Sequence, residues 1–292
     1  MSIITGLRTL LILGRTSNLP TVWTNAAVGW FLCGGAWNLD FGWLLLGLSL
    51  LYIAGMTLND AFDSRWDSEH AIERPIPAGL IREASVWTVG LIQLLLGGTV
   101  ILILTNANVA LLAGLIFCIL FYNWIHKRWI GSVVIMGLCR ALVYLSAGSA
   151  AINELVDFPS LLLFIAGASV VYIGGVTLAA RSEHLNSPRG PNMAARLMLT
   201  LPVLFPLLGG QFLDTEPLRT SLIFTGVLGI CSWISIVKTS LRAFIPLGIA
   251  HSIAGIAFYD AALLAFIDWR AAVISLGCFV LTLGAQRFIP AT

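Results

Sequence analysis

An aspartate-rich segment is the part of this sequence whose residue types and spacing best suit chemistry. Asp60, Asp63 and Asp67 stand at positions i, i+3 and i+7, so on an α-helix they fall within about 60°, and Asn59 widens the arc to about 100°. Clustered carboxylates repel one another unless a counter-ion lies between them. Hard oxygen ligands at this density suit Mg²⁺, which usually keeps several waters and bridges to substrate phosphates. We interpret the segment as a Mg²⁺–diphosphate site; the alternative is a solvated acidic helix end.

A rigid turn follows the acidic segment. The run Arg74-Pro75-Ile76-Pro77-Ala78-Gly79 combines two prolines, which fix φ, with a glycine that accepts turn conformations. The turn is expected to place Arg74 beside the carboxylates. Its guanidinium could there meet a phosphate or balance the acidic charge.

The elements that carry these residues must lie in a membrane. Of the 292 residues, 58% are hydrophobic and 10% are charged, and the mean hydropathy is +0.93. A soluble domain carries about 25% charged residues, so 16 basic and 14 acidic side chains are too few to cover a soluble protein of this length. The composition also excludes disordered and fibrous classes, and a net charge of +2 does not point to nucleic acid. We predict an all-α integral membrane protein.

Apolar runs long enough to cross a bilayer, which takes about 20 residues, occur repeatedly along the chain. We expect a polytopic bundle of nine or ten transmembrane helices that forms a single domain over residues 1–292. Segment 243–266 contains His251 and Asp260, so it is expected to be broken or partly interfacial. The candidate spans are 18–36, 41–58, 84–104, 107–126, 130–152, 159–180, 193–211, 219–238, 243–266 and 269–287.

Basic residues divide unequally between the two sides of these spans. If the N-terminus is cytoplasmic, only Arg219 and Arg270 fall on the far side. Two long loops, about 59–83 and 181–196, then face the cytoplasm, so we predict a multi-pass protein (of the inner or plasma membrane if bacterial) with cytoplasmic active-site loops. The basic residues on the cytoplasmic side are Arg8, Arg15, Arg65, Arg74, Arg82, Lys127, Arg128, Arg181, Arg189, Arg196, Lys238, Arg242 and Arg287.

The acidic segment and the turn together resemble a known motif. Their pattern, NDxxDxxxD followed by RPIPAG, is similar to the first aspartate-rich motif of the UbiA superfamily of intramembrane prenyltransferases. Two further segments resemble the family, namely Arg15-Thr-Ser-Asn18-Leu-Pro20 before the first span and Tyr122-Asn-Trp-Ile-His-Lys127-Arg128 after the fourth. The resemblance implies a bundle of about nine helices with both motif loops on the cytoplasmic side.

The resemblance also implies an activity and a set of site residues. Family members use Mg²⁺ to transfer a prenyl group from a polyprenyl diphosphate to a hydrophobic, often aromatic, acceptor among the membrane lipids. By motif match, Asp60, Asp63 and Asp67 would be catalytic and would bind the metal together with Asn59. Phosphate oxygens would be bound by Asn59, Arg74, Lys127 and Arg128.

The sequence departs from the family where a second aspartate motif is expected. The stretch 172–186 contains Glu183 as its only carboxylate, and Arg181 adds a positive charge. Arg181 could bind the diphosphate bidentately, and Glu183 could hold a metal, with Thr177 or His184 nearby. The alternatives are an exposed Arg181–Glu183 ion pair and a solvated His184. The departure is compatible with a divergent, EboC-like member.

Polar residues within the spans are further candidates, because ionisable groups in a membrane are expensive. Arg140 could point toward the diphosphate, or it could be a structural partner of Tyr144 or of a helix carbonyl. We expect Asn25, His251 and Asp260 to be packing or hydrogen-bonded residues.

Three functions compete at this point. An intact first motif favours a prenyltransferase. The incomplete second motif favours a catalytically silent relative that binds a prenyl diphosphate or helps to assemble or export a lipid-linked product. A transporter of another class is the third, and no matching pair of broken helices supports it.

Overall fold

The computed structural model describes residues 3–152, 158–184, 193–200 and 245–291, and every regular element in these parts is a helix. A single 3₁₀ turn, Thr16–Asn18, separates the first two α-helices. The α-helices are α1 (Ile3–Leu13), α2 (Pro20–Leu32), α3 (Leu39–His70), α4 (Glu83–Leu104), α5 (Val109–Ile125), α6 (Ser132–Ala151), α7 (Ser160–His184), α8 (Met193–Thr200), α9 (Ile245–Leu264) and α10 (Trp269–Ala285).

Local capping explains where several helices begin. The Asn38 side chain accepts a hydrogen bond from the Phe41 amide at the start of α3, and Asn108 accepts two from Ala110 and Leu111 at the start of α5. Pro20 occupies the first turn of α2, where its missing N–H is not needed. These caps satisfy backbone donors that a helix leaves unpaired.

Most of the predicted spans in the described parts coincide with helices, but span 18–36 contains only the 13 α-helical residues of α2. Five helices, α3, α4, α6, α7 and α9, are long and apolar enough to cross a membrane, whereas α5 and α10 are apolar but shorter. Helix α3 continues twelve residues beyond its predicted span, so the loop expected at 59 begins only at Ala71. Predicted span 219–238 and most of 193–211 lie outside the described residues.

Of the two expectations for segment 243–266, the break is wrong, because α9 is continuous through both of its polar residues. The partly interfacial placement stays a prediction. His251 contacts its own helix, since Nδ1 lies 2.7 Å from the Leu247 carbonyl oxygen. Asp260 is fully buried and accepts hydrogen bonds from neighbouring helices. Both groups are satisfied without any interruption of the helix.

Small residues let the helices approach closely around α3. A Cβ atom on Gly97 of α4 would lie 2.9 Å from the carbonyl oxygen of Gly47 in α3, so neither position accommodates a side chain without a shift. Leu44, Leu48 and Leu51 of α3 are fully buried in the main apolar core. This packing holds the acidic end of α3 in a fixed position.

The last helix closes the bundle against the start of α2. The Gln286 side chain donates hydrogen bonds to the Asn18 side-chain oxygen and to the Ala250 carbonyl, both at 3.0 Å. Helix α2 packs against α6, α9 and α10.

Candidate active site

The acidic face of α3 is buried. Asn59, Asp60, Asp63 and Asp67 are only 6%, 3%, 7% and 4% exposed. Carboxylates at this level of burial need charged or hydrogen-bonding partners. The alternative of a solvated acidic helix end is therefore wrong for these residues.

Two arginines from outside α3 contact Asp60. Arg15 Nη2 lies 3.5 Å, and Arg74 Nη1 lies 3.4 Å, from Asp60 Oδ1. Arg15 also donates to the Asn59 side-chain oxygen at 3.2 Å. Its backbone is left-handed, with φ of 42°, which is uncommon for a residue other than glycine. Arg15 is a site residue that the sequence did not predict, although the segment that resembles the family begins with it.

The turn after α3 brings Arg74 to the carboxylates as expected. Gly79 adopts a φ of +72°, and the Leu80 amide donates to the Pro75 carbonyl at 3.0 Å, which closes the turn. Burial lowers the pKa of Arg74, and the Arg15 charge adds to this effect, while Asp60, Asp67 and Asp63 act in the opposite direction. Arg74 is therefore a partly desolvated cation beside the acidic face, where charge-assisted bonds are strong.

Residues at the end of α5 contact Asp63. His126 Nε2 lies 3.0 Å, and Lys127 Nζ lies 3.4 Å, from Asp63 Oδ2. The Lys127 ammonium also lies 3.6 Å from the centre of the Trp66 ring, a cation–π contact. Lys127 was predicted at this site, whereas His126 was not.

These residues surround a cavity of about 340 Å³. Its acidic side is formed by Asn59, Asp63 and Asp67, and Asp60 does not line it. The basic residues in its wall come from four separate parts of the chain: Arg15, Arg74, Lys127 and Arg181. The fold thus brings cations and carboxylates together around a space of a size suited to a diphosphate group.

Of the residues predicted for the second half of the site, the structure describes the side chains of Thr177 and Arg181. Arg181 lines the cavity, and its Nη1 donates to the Trp129 carbonyl at 3.2 Å and to Ser132 Oγ at 3.1 Å. Thr177 also lines the cavity, but its hydroxyl donates to the Ile173 carbonyl in its own helix. The side chains of Glu183 and His184 lie outside the described residues.

Arg128 is placed differently from the other predicted phosphate-binding residues. Its side chain is exposed, and it does not belong to the wall of the cavity. Lys127, its neighbour, turns toward Asp63 instead. Of the two adjacent basic residues, the structure brings only Lys127 to the acidic face.

A second, smaller cavity of about 80 Å³ lies deeper in the bundle. Tyr122 lines both cavities, so the two spaces adjoin. The walls of the inner cavity are mainly apolar, and its polar residues are Tyr52, Tyr122, Asn123 and Arg140. Asn123 links it to the acidic face by accepting a hydrogen bond from Asn59 at 3.2 Å.

A buried polar network holds Arg140 at the inner cavity. Arg140 donates to the Asn25 side-chain oxygen at 2.8 Å, and the Asn25 amide donates to Asp260 at 2.6 Å. Tyr144 and Thr24 also donate to the Asp260 carboxylate, at 2.7 and 2.6 Å. The expectation that Asn25 and Asp260 are hydrogen-bonded is confirmed, and Arg140 has Asn25 as its direct partner.

The oxygen ligands that line the cavity suit Mg²⁺ if phosphate oxygens of a substrate complete its coordination. In the described parts of the chain, no three His, Cys, Asp or Glu side chains lie close enough to form a metal site alone. Mg²⁺ is usually bound by one or two carboxylates, waters and substrate phosphates rather than by an all-protein cage. Asp67 lines the cavity and forms no ion pair with any described residue, so its carboxylate oxygens are suitable ligands.

Comparison with known proteins places this arrangement in a family. A sequence model of the UbiA prenyltransferase family matches residues 17–184, more than half of the chain, including the acidic face of α3 and Arg181. A solved structure from a study of digeranylgeranylglyceryl phosphate synthase in membranes is similar to this chain, with a TM-score of 0.60 and 18% sequence identity. The similarity covers 92% of this chain and 99% of that chain, and at this identity it shows the fold. No curated protein sequence matches the chain significantly.

Proposed function

The chain belongs to the UbiA prenyltransferase family, and from this premise we propose that it transfers a prenyl group from a polyprenyl diphosphate to a hydrophobic or aromatic acceptor in the membrane. One observation carries the proposal: a single cavity joins the acidic face of α3 to four basic side chains from separate parts of the chain. A diphosphate group needs both hydrogen-bond donors and a divalent cation, and this cavity offers ligands for each.

The residues of the cavity would have two roles, metal binding and phosphate binding. Asn59, Asp60, Asp63 and Asp67 would hold Mg²⁺, which when bound supplies Lewis-acid stabilisation to the leaving diphosphate. Arg15, Arg74, Lys127 and Arg181 would donate hydrogen bonds to phosphate oxygens. His126 and Lys127 would orient the Asp63 carboxylate through the contacts already described.

The reaction itself breaks one bond and forms one. The C1–O bond of the prenyl diphosphate breaks with its electron pair leaving on oxygen, so negative charge grows on the diphosphate and an allylic cation forms at C1. The basic residues of the cavity would stabilise that growing charge because they are already in place. A nucleophilic atom of the acceptor then bonds to C1 and loses its proton.

The inner cavity would enclose the allylic cation and the adjoining part of the prenyl chain. It adjoins the diphosphate cavity at Tyr122, and its walls are mainly apolar. An apolar enclosure excludes water, which would otherwise capture the cation. Arg140, Asn123 and the two tyrosines are the polar groups available to the acceptor there.

A catalytically silent role is the second candidate, and the sequence of the second loop favours it. Between Asp157 and Asp214, Glu183 is the only carboxylate. In that case the protein would bind a prenyl diphosphate and serve in the assembly or export of a lipid-linked product.

Pyrophosphate release separates the two candidates. The purified full chain, with Mg²⁺ and geranylgeranyl diphosphate, is mixed with a panel of phenolic and lipid-alcohol acceptors, and both pyrophosphate and the prenylated product are measured. Acceptor-dependent release supports the transferase. Saturable binding of the diphosphate without release, across acceptors and donor chain lengths, would support the silent role instead.

A further inference from the structure

The wall that α7 contributes to the 340 Å³ cavity carries an arginine. Arg181 shares this cavity with Asp63 and Asp67. Its Nη1 is fixed by the Trp129 carbonyl and the Ser132 hydroxyl, both at the junction of α5 and α6. In the described part of the chain no carboxylate lies within ion-pair distance of Arg181. The guanidinium is thus oriented by hydrogen bonds, and no described carboxylate neutralises it through a direct ion pair.

The sequence limits the number of metal ligands that α7 can contribute to this wall. Glu183 is the only carboxylate between Asp157 and Asp214, a stretch that includes all of α7 and α8. One carboxylate cannot reproduce the set of oxygen ligands that α3 presents in Asn59, Asp60, Asp63 and Asp67. The ligands for a divalent cation are therefore concentrated on the α3 side of the cavity.

The charges in the cavity wall also favour metal binding on the α3 side alone. The basic residues Arg15, Arg74, Lys127 and Arg181 line the cavity, whereas only Asp63 and Asp67 contribute lining carboxylates among the described residues. Asp60 pairs with Arg15 and Arg74 without lining the cavity, so among the described residues four cations face three carboxylates. This net positive charge attracts a diphosphate. The cavity needs fewer mobile cations than a cavity lined by carboxylates on both sides.

We propose that this site binds its prenyl diphosphate with a single divalent cation, held on the α3 side, and that Arg181 takes the place of a second one by binding phosphate oxygens directly. The inference rests on the proposed function and specifies how the same site works. A guanidinium can bind phosphate through two parallel N–H groups, and its charge does not depend on the Mg²⁺ concentration.

The number of metal ions can be counted directly. The purified full chain is dialysed to equilibrium with Mn²⁺ and geranylgeranyl S-thiolodiphosphate, a donor analogue that resists ionisation. Bound Mn²⁺ is then counted by electron paramagnetic resonance against a protein-free control. We expect one Mn²⁺ per protein molecule at saturation. A count of two would overturn the proposal.

Variants of α7 test the role of the arginine. Arg181→Met is expected to weaken binding of the analogue roughly 10- to 100-fold, since a hydrogen bond to a charged group is lost, while the Mn²⁺ count stays at one. Arg181→Lys keeps the charge without the planar fork and should lose less affinity; it also serves if the methionine variant does not fold. Unchanged affinity in both variants would overturn the proposal.

Two matched variants complete the test. Arg270→Met removes an exposed arginine outside the cavity and should leave both affinity and count unchanged. Glu183→Gln should also leave the count at one, and a lower count in that variant would contradict the proposal. If the wild-type chain does not bind the analogue, the proposed function itself fails, whereas binding with two metal ions removes only this inference.

Discussion

The Nε2 atom of His126 lies 3.0 Å from the Oδ2 atom of Asp63, although 63 residues separate them in the chain. The other ring nitrogen of His126 lies 3.2 Å from the Asn123 carbonyl oxygen, a contact that fixes the plane of the ring. Lys127 reaches the same carboxylate oxygen from the next position. The end of α5 thus orients a carboxylate of α3 in advance, as groups behind a metal ligand often do.

Removal of the Asp63 carboxylate should abolish prenyl transfer. In Asp63→Ala, His126 and Lys127 lose their partner and the cavity loses a lining carboxylate. We expect the rate of Mg²⁺-dependent pyrophosphate release to fall by at least about 100-fold, the scale of losing one preorganised group. Asp40→Asn is the matched control, because Asp40 is exposed in the first turn of the same helix. Transfer that persists in Asp63→Ala would remove Asp63 from the metal site.

Loss of either arginine beside Asp60 should weaken binding of the donor. Arg15→Gln and Arg74→Gln each remove a charge within about 3.5 Å of this carboxylate. We expect the dissociation constant of the prenyl diphosphate to rise roughly tenfold or more, because each cation would bind phosphate oxygens. Titration by tryptophan fluorescence measures this constant. Arg82→Gln, an exposed position at the start of α4, should leave it unchanged, and an equal effect there would indicate only a general loss of positive charge.

We expect the hydrogen-bond network around Asp260 to stabilise the fold. Asp260→Ala leaves the donors on Thr24, Asn25 and Tyr144 without their acceptor in a fully buried site. We expect the free energy of unfolding to fall by about 2–5 kcal/mol, since each unsatisfied buried group is costly. Tyr144→Phe removes the bond donated to Asp260 and the bond accepted from the Asn25 amide, and should cost about 1–2 kcal/mol. Thermal unfolding in detergent gives the comparison, and equal stability of Asp260→Ala and wild type would contradict the role of the network.

One helix cap should make stability depend on pH in the acidic range. Hydrogen bonds from Trp37 and from the Ala271 and Arg270 amides lower the pKa of Asp268, which caps α10. A carboxylate with a lower pKa in the folded state stabilises the protein above its unfolded pKa, and this stabilisation is lost as the pH falls through the folded value. Asp268→Asn should therefore flatten the pH dependence of the unfolding temperature below about pH 4. The effect is expected to be small because Asp268 is at the surface, and an identical pH profile in variant and wild type would contradict it.

The sequence predicted helices α4 to α7 and α10 closely, and for a physical reason. Apolar length is the main requirement for crossing a bilayer, and it can be read along the chain, as in the predicted span 84–104 and the observed Glu83–Leu104. The spacing of Asp60, Asp63 and Asp67 likewise predicted one helical face. Helix periodicity is a local property, so both predictions needed no knowledge of the tertiary fold.

The residues that contact the acidic face of α3 could not be predicted from local periodicity. Arg15 and His126 lie 45 and 63 residues from the carboxylates that they contact, and only the packing of α3 against other elements brings them close. The continuity of α9 was missed for a related reason, because Asp260 finds its donors on α2 and α6. A polar group in an apolar run indicates a break only when no other helix supplies its hydrogen bonds.

The length of α3 has a consequence for how the substrate arrives. Its 32 residues span about 48 Å, which exceeds the hydrocarbon core of about 30 Å. If α3 crosses the bilayer, part of it extends beyond the core, and we expect this part to be the charged end at the level of the lipid headgroups. Under the proposed function, a lipid donor resting in one leaflet would carry its diphosphate at that depth. It would find the site by lateral diffusion in two dimensions, without leaving the bilayer and without turning its polar end through the hydrocarbon.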